Sequence, residues 1–284
     1  MRGIALTALA AAVLGPLAVP AAAGPTQAAV DYLAGRQAPG GCYAEPGGEP
    51  SPELTAWVAV GLRAVRAPVP AAARGCLARS ARSARVPTDA QRTILGLVAA
   101  GGDPRRDGGV DLVARVRGQI RRDGSIPPTV NATAFGALAL RAAGAPVPAL
   151  VRRAILRAQQ RGGGWGLGGS PDSNITAAAI EALVATGGGP RSRPVRRGVV
   201  ALARFRHEDG YGLTRGAPPD AQSTAWAAQA LVAADRDPGA ALTALRRLQR
   251  SDGSFAYRRG QAITPVWVTA QALPALARRP LPIR

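Results

Sequence analysis

The 284-residue sequence contains no lysine, one histidine, one methionine and two cysteines, and 4% of it is aromatic. All 36 basic residues are therefore arginine, and the net charge is +19. The arginines are spread over most of the chain and few alternate with aromatics. Nucleic-acid binding calls for a clustered stripe or a stacking platform, so no nucleic-acid partner is expected. With the excess of Ala, Gly and Pro, the arginine usage reads as codon bias in a GC-rich genome as much as selection for charge. One histidine, His207, leaves little room for Ser-His-Asp catalysis. Beside Glu208 and Asp209, it is expected to be a solvated residue at a helix end. The 17 acidic residues mostly fall in expected turns and caps. That argues against a glycosidase, which needs two carboxylates facing a sugar cleft.

Long apolar runs are also scarce, and the exception is the start. Arg2 gives a short positive region, and Ile4 to Val19 is interrupted only by Thr7, Gly15 and Pro16. Ala21, Ala22 and Ala23 then offer small residues for cleavage before Gly24. A transmembrane anchor is the competing reading, but the run is short for a span of about 20 residues. Residues 1–23 are thus expected to be a signal peptide, and residues 24–284 a single secreted, extracytoplasmic domain. The next most apolar stretch, Ala262 to Ala277, is broken by Thr264, Pro265, Thr269, Gln271 and Pro274. In an oxidising compartment Cys42 and Cys76 are expected to form a disulfide. Closing that loop contributes roughly 4 kcal/mol in the chain-entropy model. Outside the cell, the arginines would be drawn to anionic envelope polymers or lipid headgroups.

What the sequence does have is repetition. "LQRSDGSFAY" from Leu248 is echoed by "QIRRDGSIPP" from Gln119, "AQQRGGGWGL" from Ala158 and "ARFRHEDGYG" from Ala203, and "RQAPGGCYAE" fits near Gly41. Aligning these phrases matches Gly124, Gly164, Gly210 and Gly253. A second phrase follows each: "ELTAWVAVGL" ending at Leu62, "NATAFGALAL" at Leu140, "NITAAAIEAL" at Leu183, "QSTAWAAQAL" at Leu231 and "PVWVTAQAL" at Leu273. "AQRTILGLVAA", ending at Ala100, supplies a sixth. The period of about 42 residues marks a repeat architecture.

Each unit reads as two helices. The first is amphipathic, with arginine opposite an apolar face, and the second is alanine-rich and apolar nearly all round, as a buried helix is. Pro52, Pro87, Pro128, Pro171, Pro219 and Pro265 precede or open the second helices, where a fixed φ suits the first turn. Ser51, Thr88, Thr129 and Asp172 are candidate caps. The glycine of the first phrase is expected to end the outer helix in a left-handed conformation. The preceding glutamine is expected to bond frayed carbonyls, and Tyr43, Ile126, Trp165, Tyr211 or Phe255 to fill the gap between units. The expected fold is all-α, an α/α toroid of six helix pairs.

The combination of "LQRSDGSF", "AQQRGGGWG" and "STAWAAQAL" at this period resembles the prenyltransferase and squalene-cyclase repeat. The resemblance covers nearly the whole mature chain and implies six inner and six outer helices. The superfamily hosts several reactions. Its polyene cyclases use an Asp-x-Asp-Asp acid, and no such string occurs; "DRD" at Asp235 and "RDGGVD" at Asp107 read as turns. Its protein prenyltransferases hold zinc with Asp, Cys and His, but here His207 stands alone and both cysteines lie in the first two units. A metal site is therefore not expected. Complement-type thioesters need Cys-Gly-Glu-Gln, whereas Cys42 precedes Tyr43 and Cys76 precedes Leu77.

The inner helices would line the centre. Glu181, Gln229 and Gln271 each directly precede an Ala-Leu anchor, so one column could place a polar ring in an apolar barrel, near Trp57, Trp226 and Trp267. These six residues are the expected ligand-binding set. A buried Glu181 would have a raised pKa and could serve as a proton donor or a ligand anchor; the alternative is an internal pairing with arginine, the tryptophans being core. Asn131 and Asn174 match glycosylation sequons and are expected to be caps. The expected protein is a monomeric, secreted toroid that holds an isoprenoid or other lipid-like ligand, or a partner, in its central cavity without catalysis and without a cofactor of its own. A cofactor carrier also fits, since cobalamin carriers resemble this toroid. Two other readings stand beside it: a divergent cyclase or prenyltransferase-like enzyme with Glu181 as acid, and a structural envelope protein.

Overall fold

The computed structural model describes residues 24–283, so the expected signal peptide lies outside the described residues. The odd-numbered helices are the outer ones: α1 Pro25–Ala34, α3 Ala71–Ser80, α5 Leu112–Gly118, α7 Ala149–Arg157, α9 Arg193–Leu202 and α11 Gly239–Arg246. The even-numbered helices are inner: α2 Pro52–Ala64, α4 Pro87–Ala99, α6 Val130–Ala142, α8 Ser173–Ala185, α10 Ala221–Ala233 and α12 Pro265–Leu276. The outer helices bury one face; α9, for example, buries Val195, Gly198, Ala201 and Leu202 and turns its arginines outward. The inner helices are buried almost all round, as in α8 from Ile175 to Leu183. A buried apolar helix needs no polar face, which is why alanine dominates there.

Side chains start several inner helices as expected. Ser51 accepts from the Glu53 and Leu54 amides, Thr129 from Ala132 and Asp172 from Ile175. Asp220, not foreseen, does the same for α10 through Ser223. Thr88 caps nothing, because α4 begins after Val86 without a side-chain cap. Asn131 and Asn174 are not caps either: both lie inside the first turn, after Thr129 and Asp172.

The repeated turn works by three contacts. First, a left-handed glycine ends the outer unit: Gly41, Gly124, Gly163 and Gly253 have φ of 84°, 87°, 91° and 86°. The third of these is Gly163, one residue before the Gly164 that sequence alignment matched. At each position a Cβ would collide with a carbonyl on the next outer helix, of Ala72, Leu150, Arg197 and Ala28 respectively. Second, the expected plug residues are buried; Tyr43, Ile126, Trp165 and Phe255 are at most 1% exposed. Third, the amide of each plug donates to a threonine hydroxyl on the inner helix that follows. The pairs are Tyr43–Thr55, Ile126–Thr133, Trp165–Thr176, Tyr211–Thr224 and Phe255–Thr269, at 2.8–3.0 Å. The glutamines do not bond frayed ends of their own helices. Gln159 and Gln249 donate instead to the turn carbonyls of Gly163 and Gly253 and to the first turn of the next outer helix, at Pro194 and Pro25. His207 lies on a short strand, Arg206–His207, and not at a helix end.

Each inner helix packs on the next, and α12 packs back on α2. Contacts between the first and last units complete the ring. Gln249 and Gly253 meet α1, as above. Both carboxylate oxygens of Glu45 accept amide bonds, from Val266 (2.9 Å) and Trp267 (2.8 Å), and so serve the first turn of α12. Arg279 donates to the carbonyls of Arg63 and Ala64 at the end of α2. Cys42 and Cys76 form the disulfide, tying the first turn to α3 with a Cα–Cα distance of 5.3 Å. At the other end of the inner helices Leu281 and Ile283 are buried, so the C-terminal tail fills that end of the ring.

Candidate functional site

A cup of about 220 Å³ opens where the inner helices begin. Two rungs of side chains line it. Thr88, Asn131, Asn174, Gln222 and Trp267 form the outer rung, and Trp57, Arg92, Phe135, Trp226 and Gln271 the inner one, with Ile175 between. The rungs stand four residues apart on their helices, one above the other on a single face. In α2, α6, α10 and α12, counted from the threonine that accepts the turn amide, the inner rung lies two residues on. Trp57, Phe135, Trp226 and Gln271 all follow that rule.

The floor is aromatic. Trp57 meets Phe135, Trp226 and Trp267 edge-on at centroid distances of 6.0, 5.7 and 6.1 Å, and Phe135 meets Trp226 at 5.6 Å. These edge-to-face contacts hold the rings in place. Two buried polar atoms in this floor have no protein partner: the Trp57 Nε1 donor and the Gln271 Oε1 acceptor. Trp57 is 7% exposed and Gln271 3%. By contrast Trp165, the remaining tryptophan, is satisfied, its Nε1 donating to the Ile155 carbonyl at 2.7 Å. Arg92 forms one wall. It pairs with Glu53 at 3.1 Å, with Asp89 at 3.9 Å beyond, and these groups line an adjoining groove outside the cup.

Of the six expected residues, Trp57, Trp226, Trp267 and Gln271 come together in the cup; Glu181 and Gln229 do not line it. Glu181 and Gln229 stand five residues beyond their threonines, deeper in the ring, and the expected single column of three polar groups does not form. Gln229 donates to the Ala225 carbonyl of its own helix. Glu181 is 1% exposed and accepts the Leu281 amide of the tail at 2.6 Å. Burial pushes its carboxyl up to about 8, against the bond from Leu281, which favours the charged form. No arginine pairs with it among the described residues. Sequence reading missed Arg92, Phe135 and the amides Asn131, Asn174 and Gln222 as lining residues. The signal was present: Asn131, Asn174 and Gln222 lie two residues before the threonine of their own helix and Phe135 two after, and Arg92 lies two after Ala90, which holds that position in α4.

The closed ring of six inner and six outer helices is an α/α toroid, a fold it shares with a type II terpene cyclase. No family model matches the chain, and no curated protein does. Solved structures do. The type II terpene cyclase MstE from Scytonema, in complex with geranylgeranyl dihydroxybenzoate, superimposes with a TM-score of 0.64 at 16% identity, over 89% of this chain and 96% of that one. A protein from Actinoplanes gives 0.67 at 19% identity, over 89% and 98%. A glycosidase variant in complex with glucose gives 0.64 at 13% identity, over 90% and 97%. At these identities the likeness is one of fold.

Proposed function

We propose that the cup binds a small isoprenoid-like ligand that carries a hydroxyl, without transforming it, and that the protein does so outside the cell. The observation that carries this reading is the pair of unpartnered atoms in an aromatic floor, Trp57 Nε1 and Gln271 Oε1. A hydroxyl both accepts and donates, so one alcohol group can satisfy an indole N–H and an amide oxygen together. The rings of Trp57, Phe135, Trp226 and Trp267 offer the apolar surface for the rest of the molecule. At about 220 Å³ the cup is smaller than the roughly 300–1,000 Å³ of ordinary small-molecule sites. It therefore suits a short prenyl group, or one end of a longer chain.

MstE binds a prenylated aromatic acid on the same fold, which supports an isoprenoid-like occupant. The lining of the cup contains no Asp, Glu or His, which supports binding over acid-base chemistry. The disulfide supports an extracytoplasmic location. A second reading, a sugar ligand, is favoured by the rim of Asn131, Asn174 and Gln222 above an aromatic floor.

Tryptophan fluorescence separates the two, since three of the four tryptophans line the cup. Geraniol is expected to quench it saturably. Trp57→Phe, which keeps the ring and deletes the donor, should weaken that binding about threefold to tenfold. Saturation by glucose and not by geraniol would replace the isoprenoid reading with the sugar one.

A further inference from the structure

Away from the cup, a groove of about 440 Å³ runs between the turn after α7 and the outer face of α9. Arg161, Arg193, Arg196, Arg197 and Arg204 line it, together with Gly162 and Val200. On α9 the lining positions recur at steps of three and four residues, which keeps them on one face. The turn of the preceding unit supplies Arg161. Two of the five are braced by that turn. Arg197 Nη2 donates to the carbonyls of Gln160 (3.1 Å) and Arg161 (2.8 Å), and Arg204 Nη1 to that of Gly162 (3.3 Å). Each guanidinium has five donors, so these bonds orient both groups and leave donors to spare.

No carboxylate among the described residues balances this charge. None of their ion pairs includes any of the five, although Arg74, Arg92, Arg191 and Arg247 elsewhere have carboxylate partners. Residues 182–207 contain six arginines and no Asp or Glu. Folding gains nothing by gathering like charges, which destabilise a compact state. Four arginines of this stretch and Arg161 of the neighbouring unit thus form one basic groove.

We infer that this groove is a binding site for clustered phosphate groups. Arginine forks match phosphate oxygens two at a time, and the site presents several such forks with no competing carboxylate. It has no aromatic lining on which bases could stack, so it reads charge and not sequence. The phosphates could belong to a soluble oligophosphate or to the headgroups of an anionic lipid surface, and the chemistry recognised is the same.

The test uses the full chain and two double variants of equal charge. R193A/R196A removes two exposed groove arginines, and R122A/R246A removes two exposed arginines elsewhere. Titration with tripolyphosphate at low ionic strength and pelleting with phosphatidylglycerol vesicles give the two arms. The groove double is expected to lose at least about tenfold in affinity, and the control double to stay near the parent. Selective loss of vesicle binding places the phosphates on a lipid, selective loss of tripolyphosphate binding places them in solution, and either supports the site. Equal losses in both doubles, or no binding by the parent chain, would overturn it. A strong preference for a DNA oligonucleotide at equal phosphate concentration would overturn it in favour of nucleic acid.

Discussion

At the residue scale, two buried polar groups make opposite predictions about stability. Glu181 is held in its neutral form by burial, with a pKa near 8 against an ordinary 4.5. The folded chain therefore binds this proton more tightly than the unfolded chain does between those two values. Stability from this group is greatest below 4.5, falls as pH rises, and levels off above 8. Each tenfold difference in proton affinity between the folded and unfolded chain is worth about 1.4 kcal/mol. Asp172 and Asp220, also raised by burial, add the same sign at lower pH. Glu181→Gln should remove the decline between pH 5 and 8, as measured by thermal unfolding at each pH. An unchanged pH profile would mean that Glu181 is ionised in the folded protein. Gln271 differs because it lines the cup and its buried oxygen has no partner. An unsatisfied buried polar atom costs about 1–3 kcal/mol, so Gln271→Leu should raise the unfolding midpoint while weakening geraniol binding. That trade between stability and binding is expected of a site and not of core filler. A variant that gained stability and bound geraniol as before would remove Gln271 from the site.

At the scale of the element, the threonine that joins each turn to its inner helix matters more than composition suggests. Thr269 accepts the Phe255 amide at 2.9 Å and donates to the Pro265 carbonyl. Thr269→Val strands both partners and should lower stability by about 1–3 kcal/mol in denaturant unfolding. Gly253→Ala should be at least as damaging, because φ is +86° and the Ala28 carbonyl occupies the space a Cβ needs. The glycines and plug residues were legible in the sequence because left-handed turns and interunit gaps restrict which residue fits. The inner helices were harder to phase. A helix apolar all round has no hydrophobic stripe to set its rotation, so aligning on Ala-Leu slid α12 by three residues. That slip put Gln271 beside Glu181 and Gln229 and hid its kinship with Trp57, Phe135 and Trp226. The threonine, present in five of the second phrases as "TA", was the marker that would have fixed the register.

At the scale of the whole molecule, the six units close because the last one finds its partners in the first. Glu45 serves α12, Gln249 and Gly253 meet α1, and α12 packs on α2. The disulfide ties this seam to the second outer helix, and its reduction should cost roughly 4 kcal/mol in the chain-entropy model. Comparing unfolding with and without reductant checks this; no change would mean that the first unit is held by packing alone. The count of six near-equal units favoured closure without showing it, and the contacts of α12 with α2 supply it. The arginine groove was legible in part: Arg193, Arg196, Arg197 and Arg204 lie in one stretch without Asp or Glu, and only the packing of neighbouring units adds Arg161. The cup is a product of closure, because its aromatic floor draws Trp57, Phe135, Trp226 and Trp267 from four different helices. Native mass spectrometry of the full chain with geraniol added tests ligand binding in the cup most directly. A one-to-one complex that Trp57→Phe weakens is the predicted result; a bare protein mass across the accessible concentration range would contradict it.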